Sequence, residues 1–230
     1  MTLLGFETSG KTASVALCRE DELIAQTSVL TKLTHSQSIL PIAKELIRHA
    51  GISLEEIDGI AVSDGPGSYT GLRIGISAAK ALAFGLDKPC AGISTLEGLA
   101  YNLLGFNGII CPVMLARQDL LYSAIFSCSN GKIKRLCDDE IISIEDLKER
   151  LKSINEKIML TGDYAKAFFE NAGMDKLSLA PPHLRLQNAA GICFAAFSNG
   201  LSAPENLNAR YLQPTKAEKD FLAGNLKVVI

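Results

Sequence analysis

A chain of 230 residues, 47% hydrophobic and 21% charged with no low-complexity tract, buries one large or two small α/β cores without a disulfide or metal staple, which excludes a disordered or fibrous protein. The formal net charge of -2 is evenly spread, with 8 basic against 11 acidic residues in positions 1–110 and 15 against 14 beyond, so neither half offers the basic face that grips RNA phosphates. The six cysteines sit among apolar residues without a Cys-x-x-Cys spacing, and no apolar run suits a signal peptide or a membrane span, so a cytoplasmic chain with buried thiols and no zinc is expected.

Three short apolar or alternating runs open the chain, at Leu3 to Phe6, Ala13 to Cys18 and Glu22 to Val29, and the breaks between them predict a three-stranded meander. The period then becomes helical. From Ser36 to Ala50 the apolar residues Ile39, Leu40, Ile42, Ala43, Leu46 and Ile47 share one face, Gly51 stands where a C-terminal cap belongs, and His49 lies in the last turn, where a cation suits the helix dipole. Ile57 to Val62 predicts a buried strand running into Gly65-Pro66-Gly67 and a second helix that reaches about Gly85. A strand at Cys90 to Ile93 follows, and Ser94-x-x-Glu97 is a capping box opening a helix to Leu104.

The theme repeats beyond Asn107. Ile109 to Leu115, Leu120 to Ser127 and Lys132 to Cys137 predict another meander with a hairpin turn at Asn130-Gly131. Helices at Ser143 to Lys152, Asp163 to Asn171 and Asn188 to Ser198, with a strand at Ile158 to Thr161, complete a duplicated α/β pattern.

Gly5, Gly10, Lys11 and Thr12 match the P-loop pattern G-x-x-x-x-G-K-[ST], but a P-loop opens a helix, whereas Thr12 to Leu17 is a β-run. A weaker version remains, in which Thr8, Ser9, Gly10, Lys11 and Thr12 present donors to a phosphate from a hairpin turn; the alternative is a solvated turn. The only histidines are His35, His49 and His183, and His35 has Ile39 where a helical metal pair needs a second histidine.

The segment Gly65 to Gly75 carries more information. Gly65-Pro66-Gly67 turns sharply after a strand, Ser68 or Thr70 caps the next helix, and Gly71, Gly75, Ala79 and Ala83 recur every four residues. Two glycines early in a helix cost about 1 kcal/mol each relative to alanine and need a packing or binding reason. The loop holds a phosphate at the helix N-terminus, or the small row packs on another helix, within the chain or from a second protein.

Glu7-Thr8-Ser9, His35-Ser36 with Leu40-Pro41, GPGSYTGLRIG at Gly65 to Gly75 and Ser94-Thr95-Leu96-Glu97-Gly98-Leu99-Ala100 resemble the TsaB (YeaZ) family of bacterial tRNA threonylcarbamoyladenosine biosynthesis proteins, with Arg117, Tyr122 and Tyr211-Leu212 as later landmarks. The resemblance implies an α/β, actin-like ATPase (ASKHA, ribonuclease H-like) fold of two subdomains, each a mixed sheet with flanking helices. Residues 1–107 would form the N-terminal subdomain carrying the dimerisation helices, and 108–230 a reduced C-terminal one. It also implies a non-catalytic scaffold and activator of a TsaD-like threonylcarbamoyltransferase, which modifies adenosine 37 of tRNAs reading codons that begin with A. A TsaE-like ATPase would join, ATP and a metal would belong to the partner subunits, tRNA contact would be indirect, and a homodimer is possible.

The catalytic relatives carry a paired-histidine metal motif near the position of His35, of which this chain keeps one. Glu7 stands where the family commonly has aspartate, and Leu115 where it has the aspartate of an Asp-Ala-Arg run. The expected partner interface comprises His35, Ile39, Ile42, Ala43 and Ile47 of the first helix with Tyr69, Gly71, Leu72, Gly75, Ala79 and Ala83 of the second, the small row receiving the partner. The alternatives are an ATPase or phosphotransferase of the same class, working through Thr8 to Thr12, and a glycoprotease-like metallopeptidase.

Overall fold

The computed structural model describes residues 1–20 and 22–213. Strands β1 (Thr2–Glu7), β2 (Ala13–Arg19) and β3 (Glu22–Val29) form the antiparallel meander, and β4 (Gly59–Gly65) and β5 (Cys90–Ser94) add in parallel on the other side of β1, in the order β3-β2-β1-β4-β5. A central strand with both faces covered reads as a continuous apolar run, and every residue of β1 is buried. The edge strand β3 alternates between exposed and half-buried side chains over most of its length.

Helix α1 (His35–Ala50) starts at a capping box of Thr34 and Gln37 and ends at Gly51, whose φ of 66° suits a residue without a Cβ. Helix α2 (Tyr69–Leu86) starts where the Ser68 hydroxyl accepts the Gly71 N–H. Both helices cover one face of the sheet, where Leu4, Phe6, Val15, Ile60 and Val62 meet Ile39, Ala43, Leu72 and Ile76.

The second half repeats this order. Strands β6 (Gly108–Arg117), β7 (Leu120–Ser129), β8 (Lys132–Ser143), β9 (Ile158–Thr161) and β10 (Leu177–Leu179) lie as β10-β9-β6-β7-β8. Asn130 and Gly131, with φ of 51° and 72° as a primed hairpin turn requires, join β7 to β8 at the expected place. Helices α4 (Ile144–Lys152) and α5 (Ala165–Ala172) bury Leu147, Leu151 and Phe168 on one face of this sheet.

The remaining long helices are exchanged between the halves. Helix α3 (Thr95–Tyr101), from the first half, packs Leu96, Leu99 and Ala100 on Ile110, Met114 and Phe126 of the second sheet. Helix α7 (Ala189–Asn199), which follows the short α6 (Pro182–Arg185), packs on Leu3, Ala16 and Ala61 of the first. They cross at two glycines: a Cβ on Gly191 would lie 2.2 Å from the Gly98 carbonyl oxygen, and one on Gly98 would lie 2.5 Å from Ile192 Cδ1. The expected division into 1–107 and 108–230 therefore does not describe the packing, because α7 and the segment around Leu207 complete the first core. The capping box at Ser94 is half made: Ser94 accepts the Glu97 N–H, while the Glu97 carboxylate pairs with Arg135 at 3.2 Å.

The largest correction concerns the small row of α2. Gly71, Gly75, Ala79 and Ala83 face the chain's own sheet rather than another helix. A Cβ on Gly71 would stand 2.1 Å from the Thr8 carbonyl oxygen, and one on Gly75 2.3 Å from Thr8 Oγ1. Leu72, Ile39 and Ala43 are buried in the same core, and Ile42 and Ile47 are half-buried against it. These residues pack the core of the first half; of the expected α2 contacts, only Tyr69 is exposed.

Gly71→Ala is expected to cost about 3 kcal/mol, since the new methyl meets a backbone oxygen that cannot rotate away. Urea unfolding of the purified variant measures it, with Gly85→Ala, where a Cβ meets nothing within 4 Å, as the neutral comparison.

Candidate functional site

The turn between β1 and β2 directs its polar groups inward. Thr8 Oγ1 donates to the Gly71 carbonyl at 2.8 Å, Ser9 N donates to Glu7 Oε1 at 2.5 Å, and the Ser9 carbonyl accepts the Ser68 N–H at 2.7 Å. His35 Nε2 donates to the Gly10 carbonyl at 2.9 Å. The Gln187 carboxamide lies flat across Gly10: a Cβ there would be 2.9 to 3.0 Å from its carbon, nitrogen and oxygen alike. Thr12 is buried, Lys11 is exposed, and β2 rather than a helix follows, so the P-loop letters lack the helix N-terminus that phosphates require.

Glu7 ends β1 with its carboxylate 1% exposed and accepts hydrogen bonds from Ser9 N and from Ser63 Oγ at 3.1 Å. Burial pushes its pKa up to about 7, against the opposing pull of the bonds from Ser9 and Ser63. Among the described residues, no group of three or more His, Cys, Asp or Glu side chains is placed to hold a metal ion.

The other side of α2 is different. An open groove of about 610 Å³ runs between α1 and α2, lined by Leu40, Tyr69, Arg73, Ile74, Ala78 and Ala81 among others. Leu40 is 47% exposed, and Phe84, beyond the groove on α2, is 54% exposed. At one end the Tyr69 ring lies 4.6 Å from that of Tyr211, the Arg73 guanidinium sits 4.1 Å over Tyr69, and Arg73 Nε donates to the Tyr211 hydroxyl at 3.3 Å.

The expected interface residues thus separate into two sets. Ile39 and Tyr69 reach the groove, while Ala43, Gly71, Leu72, Gly75, Ala79 and Ala83 lie beneath it in the core. His35 holds the turn. Leu40, Ile74, Ala78 and Ala81 line the groove without having been expected there. Their signal was present, since Ile74, Ala78 and Ala81 follow the i, i+4, i+7 spacing of a second apolar stripe on α2.

The model of the family described as TsaD, tRNA N6-adenosine threonylcarbamoyltransferase, matches residues 29–225. The tRNA threonylcarbamoyladenosine biosynthesis protein TsaB of Haemophilus influenzae is 40% identical over 193 residues, 80% of this chain and 81% of that protein. The structure of YeaZ from Pseudomonas aeruginosa superposes with a TM-score of 0.77 at 25% identity, covering 92% of this chain and 99% of that one. Component A of the (R)-2-hydroxyglutaryl-CoA dehydratase of Acidaminococcus fermentans shares the fold alone, with a TM-score of 0.51 at 11% identity over 86% of this chain and 98% of its own. The architecture is that of the actin-like ATPases, built from two mixed sheets with flanking helices.

The buried Glu7 carboxyl has a pH signature. Its folded pKa lies above the ordinary 4.5, so the folded state retains the proton between about 4.5 and about 7 and stability falls as pH rises through that window. Glu7→Gln keeps the acceptor and removes the titration. Its unfolding free energy relative to the parent, measured in urea at pH 5 and pH 8, is expected to improve by roughly 3 kcal/mol at the higher pH.

Proposed function

This chain belongs to the TsaB family of tRNA threonylcarbamoyladenosine biosynthesis proteins, and we propose that it serves there as a non-catalytic scaffold, docking a TsaD-like threonylcarbamoyltransferase through the α1–α2 groove. The modification it supports is N6-threonylcarbamoyladenosine at position 37 of tRNAs reading codons that begin with A. A TsaE-like ATPase joins the assembly, ATP and the metal are held by the partner subunits, and tRNA contacts this chain only indirectly. In the absence of the transferase, a second copy takes the same groove.

The observation that carries this reading is the opposite use of the two sides of α2. Its glycine side is filled by the Thr8-Ser9 turn, where the Thr8 hydroxyl and the N–H and carbonyl of Ser9 are engaged within the chain while the buried Ser9 hydroxyl has no partner among the described residues. Its other side leaves an open groove in which Leu40, Ile74, Ala78 and Ala81 form an apolar strip among Ser36, Thr70, Arg73 and Ser77, a surface on which the apolar face of a helix can lie. The competing ATPase or phosphotransferase needs the turn to open, with Gln187 moved off Gly10 and donors turned outward. A metallopeptidase needs ligands that His35, engaged with Gly10, does not offer alone. Both remain distinguishable by titration, since tight ATP–magnesium binding with turnover, or stoichiometric zinc or iron in the purified chain, would count against a scaffold.

Leu40→Asp and Ala81→Arg place charge on the groove without entering the core, and each is expected to weaken transferase binding by about fiftyfold or more. Calorimetric titration of the partner measures this, alongside the threonylcarbamoyladenosine content of tRNA in cells carrying each variant. Unchanged binding and modification in both variants would refute docking through this groove.

A further inference from the structure

Strand β8 is doubly bulged where it meets the exchanged helices. Phe126 pairs with Arg135, Ile125 with Cys137 and Ser123 with Glu140, so β8 advances five residues while β7 advances three. Bulges bend a strand and re-aim its side chains. Four residues of regular strand would hold Arg135 and Asp139 about 13 Å apart, yet here Arg135 Nη1 donates to Asp139 Oδ1 at 2.5 Å. Arg135 Nη2 donates to Glu97 Oε2 of α3 at 3.2 Å, with the guanidinium 4.6 Å over the Phe126 ring. The other carboxylate oxygens are engaged as well. Asp139 Oδ2 accepts from Ser94 Oγ, the cap of α3, at 2.5 Å, and Glu97 Oε1 accepts from Asn199 Nδ2, at the end of α7, at 3.2 Å. One arginine thereby joins β8 to both exchanged helices.

The cluster borders a polar crevice of about 280 Å³, lined by Arg135, Asp138 and Asp139 of β8 together with Pro66, Glu97 and Arg210. Arg210 Nη2 pairs with Asp64 Oδ1 at 2.7 Å, and the Asp64 side chain is 8% exposed. Burial pushes the Asp64 carboxyl above its ordinary value, Arg210 pulls it back, and the charge of Asp139 adds to the rise, so the two acids repel across the crevice. Asp64, Glu97, Asp138 and Asp139 thus meet two arginines, an excess of acid in a place only partly open to water.

We infer that Glu97, Arg135 and Asp139 form a clasp that holds the crevice shut, with the repulsion among the carboxylates as the force it opposes. With the clasp made, β8, α3 and the end of α7 move as one body. With Arg135 withdrawn, Glu97 and Asp139, 17% and 12% exposed, face each other without a counter-charge, and the bulged segment of β8 swings away from α3. The clasp is therefore a two-position element built into the junction of the halves, poised by charge rather than by packing.

Hydrogen exchange of the full chain, followed by mass spectrometry on peptides from α3, residues 132–140 and the end of α7, tests this. Arg135→Ala is expected to speed exchange there by about tenfold or more, while peptides from α1 and α2 keep the parent rate. Adding Asp139→Asn, which keeps an acceptor for Ser94 and removes a charge, is expected to bring the increase back to about threefold, because repulsion is what opens the clasp. A packing role makes the opposite forecast, with the second substitution adding to the first. Arg135→Lys, whose single ammonium reaches one carboxylate at a time, is expected to fall between the parent and Arg135→Ala, and it takes the place of the alanine variant throughout if that variant does not fold. The clasp is overturned if exchange in these peptides stays within about twofold of the parent, if it rises equally in α1 and α2, or if Asp139→Asn deepens the loss instead of relieving it.

Discussion

The closeness of Thr8 to α2 is the constraint from which the first half of this protein is built. With the Thr8 carbonyl where a Cβ of residue 71 would be, and its hydroxyl where one of residue 75 would be, α2 can approach the sheet only through glycine. That approach lets Thr8 Oγ1 bond the Gly71 carbonyl and the Ser68 N–H bond Ser9, so the first turn of α2 and the β1–β2 turn become one rigid unit. The helix is thereby set with one face closed. Its flank, with Ile74, Ala78 and Ala81, lines the groove beside α1.

The same contact sets how the β1–β2 turn uses its backbone groups in this actin-like ATPase fold. A phosphate loop must keep backbone N–H groups aimed at the ligand. Here Ser9 N is spent on Glu7, the carbonyls of Ser9 and Gly10 are held by Ser68 and His35, and Gln187 covers Gly10. The Glu7 carboxyl, packed under that turn, is held by Ser9 N and Ser63 Oγ.

Much of this was legible in the residues, and what was not has a physical explanation. The two meanders, α1 with its Gly51 cap and the Asn130-Gly131 turn all carry local signals and stand where periodicity and turn chemistry put them, except that β8 continues past the expected Cys137 to Ser143. Strand β10 and helix α6, of three and four residues, are too short to show a period. The row of glycine and alanine announced close approach but not the identity of the neighbour, because a small residue admits a strand, a turn or a helix equally. Only tertiary contacts reveal that Thr8, sixty-three residues away from Gly71 in the chain, is what comes close. The groove was missed for the converse reason: Ile74, Ala78 and Ala81 are ordinary helix residues, and only the tertiary structure shows that they line a groove beside α1.

The exchange of α3 and α7 bears on how the protein comes off the ribosome. The first sheet has all five of its strands once Ser94 has been made, yet the helix that covers its second face begins at Ala189, whose N–H bonds Ser14 across a separation of 175 residues. Until then Leu3, Ala16 and Ala61 have no partner on that side. The nascent first half must wait, with one apolar face open to solvent or to a chaperone, for nearly the whole of the second half to be synthesised. Gly98 and Gly191, where the two exchanged helices cross, mark the point at which that wait ends.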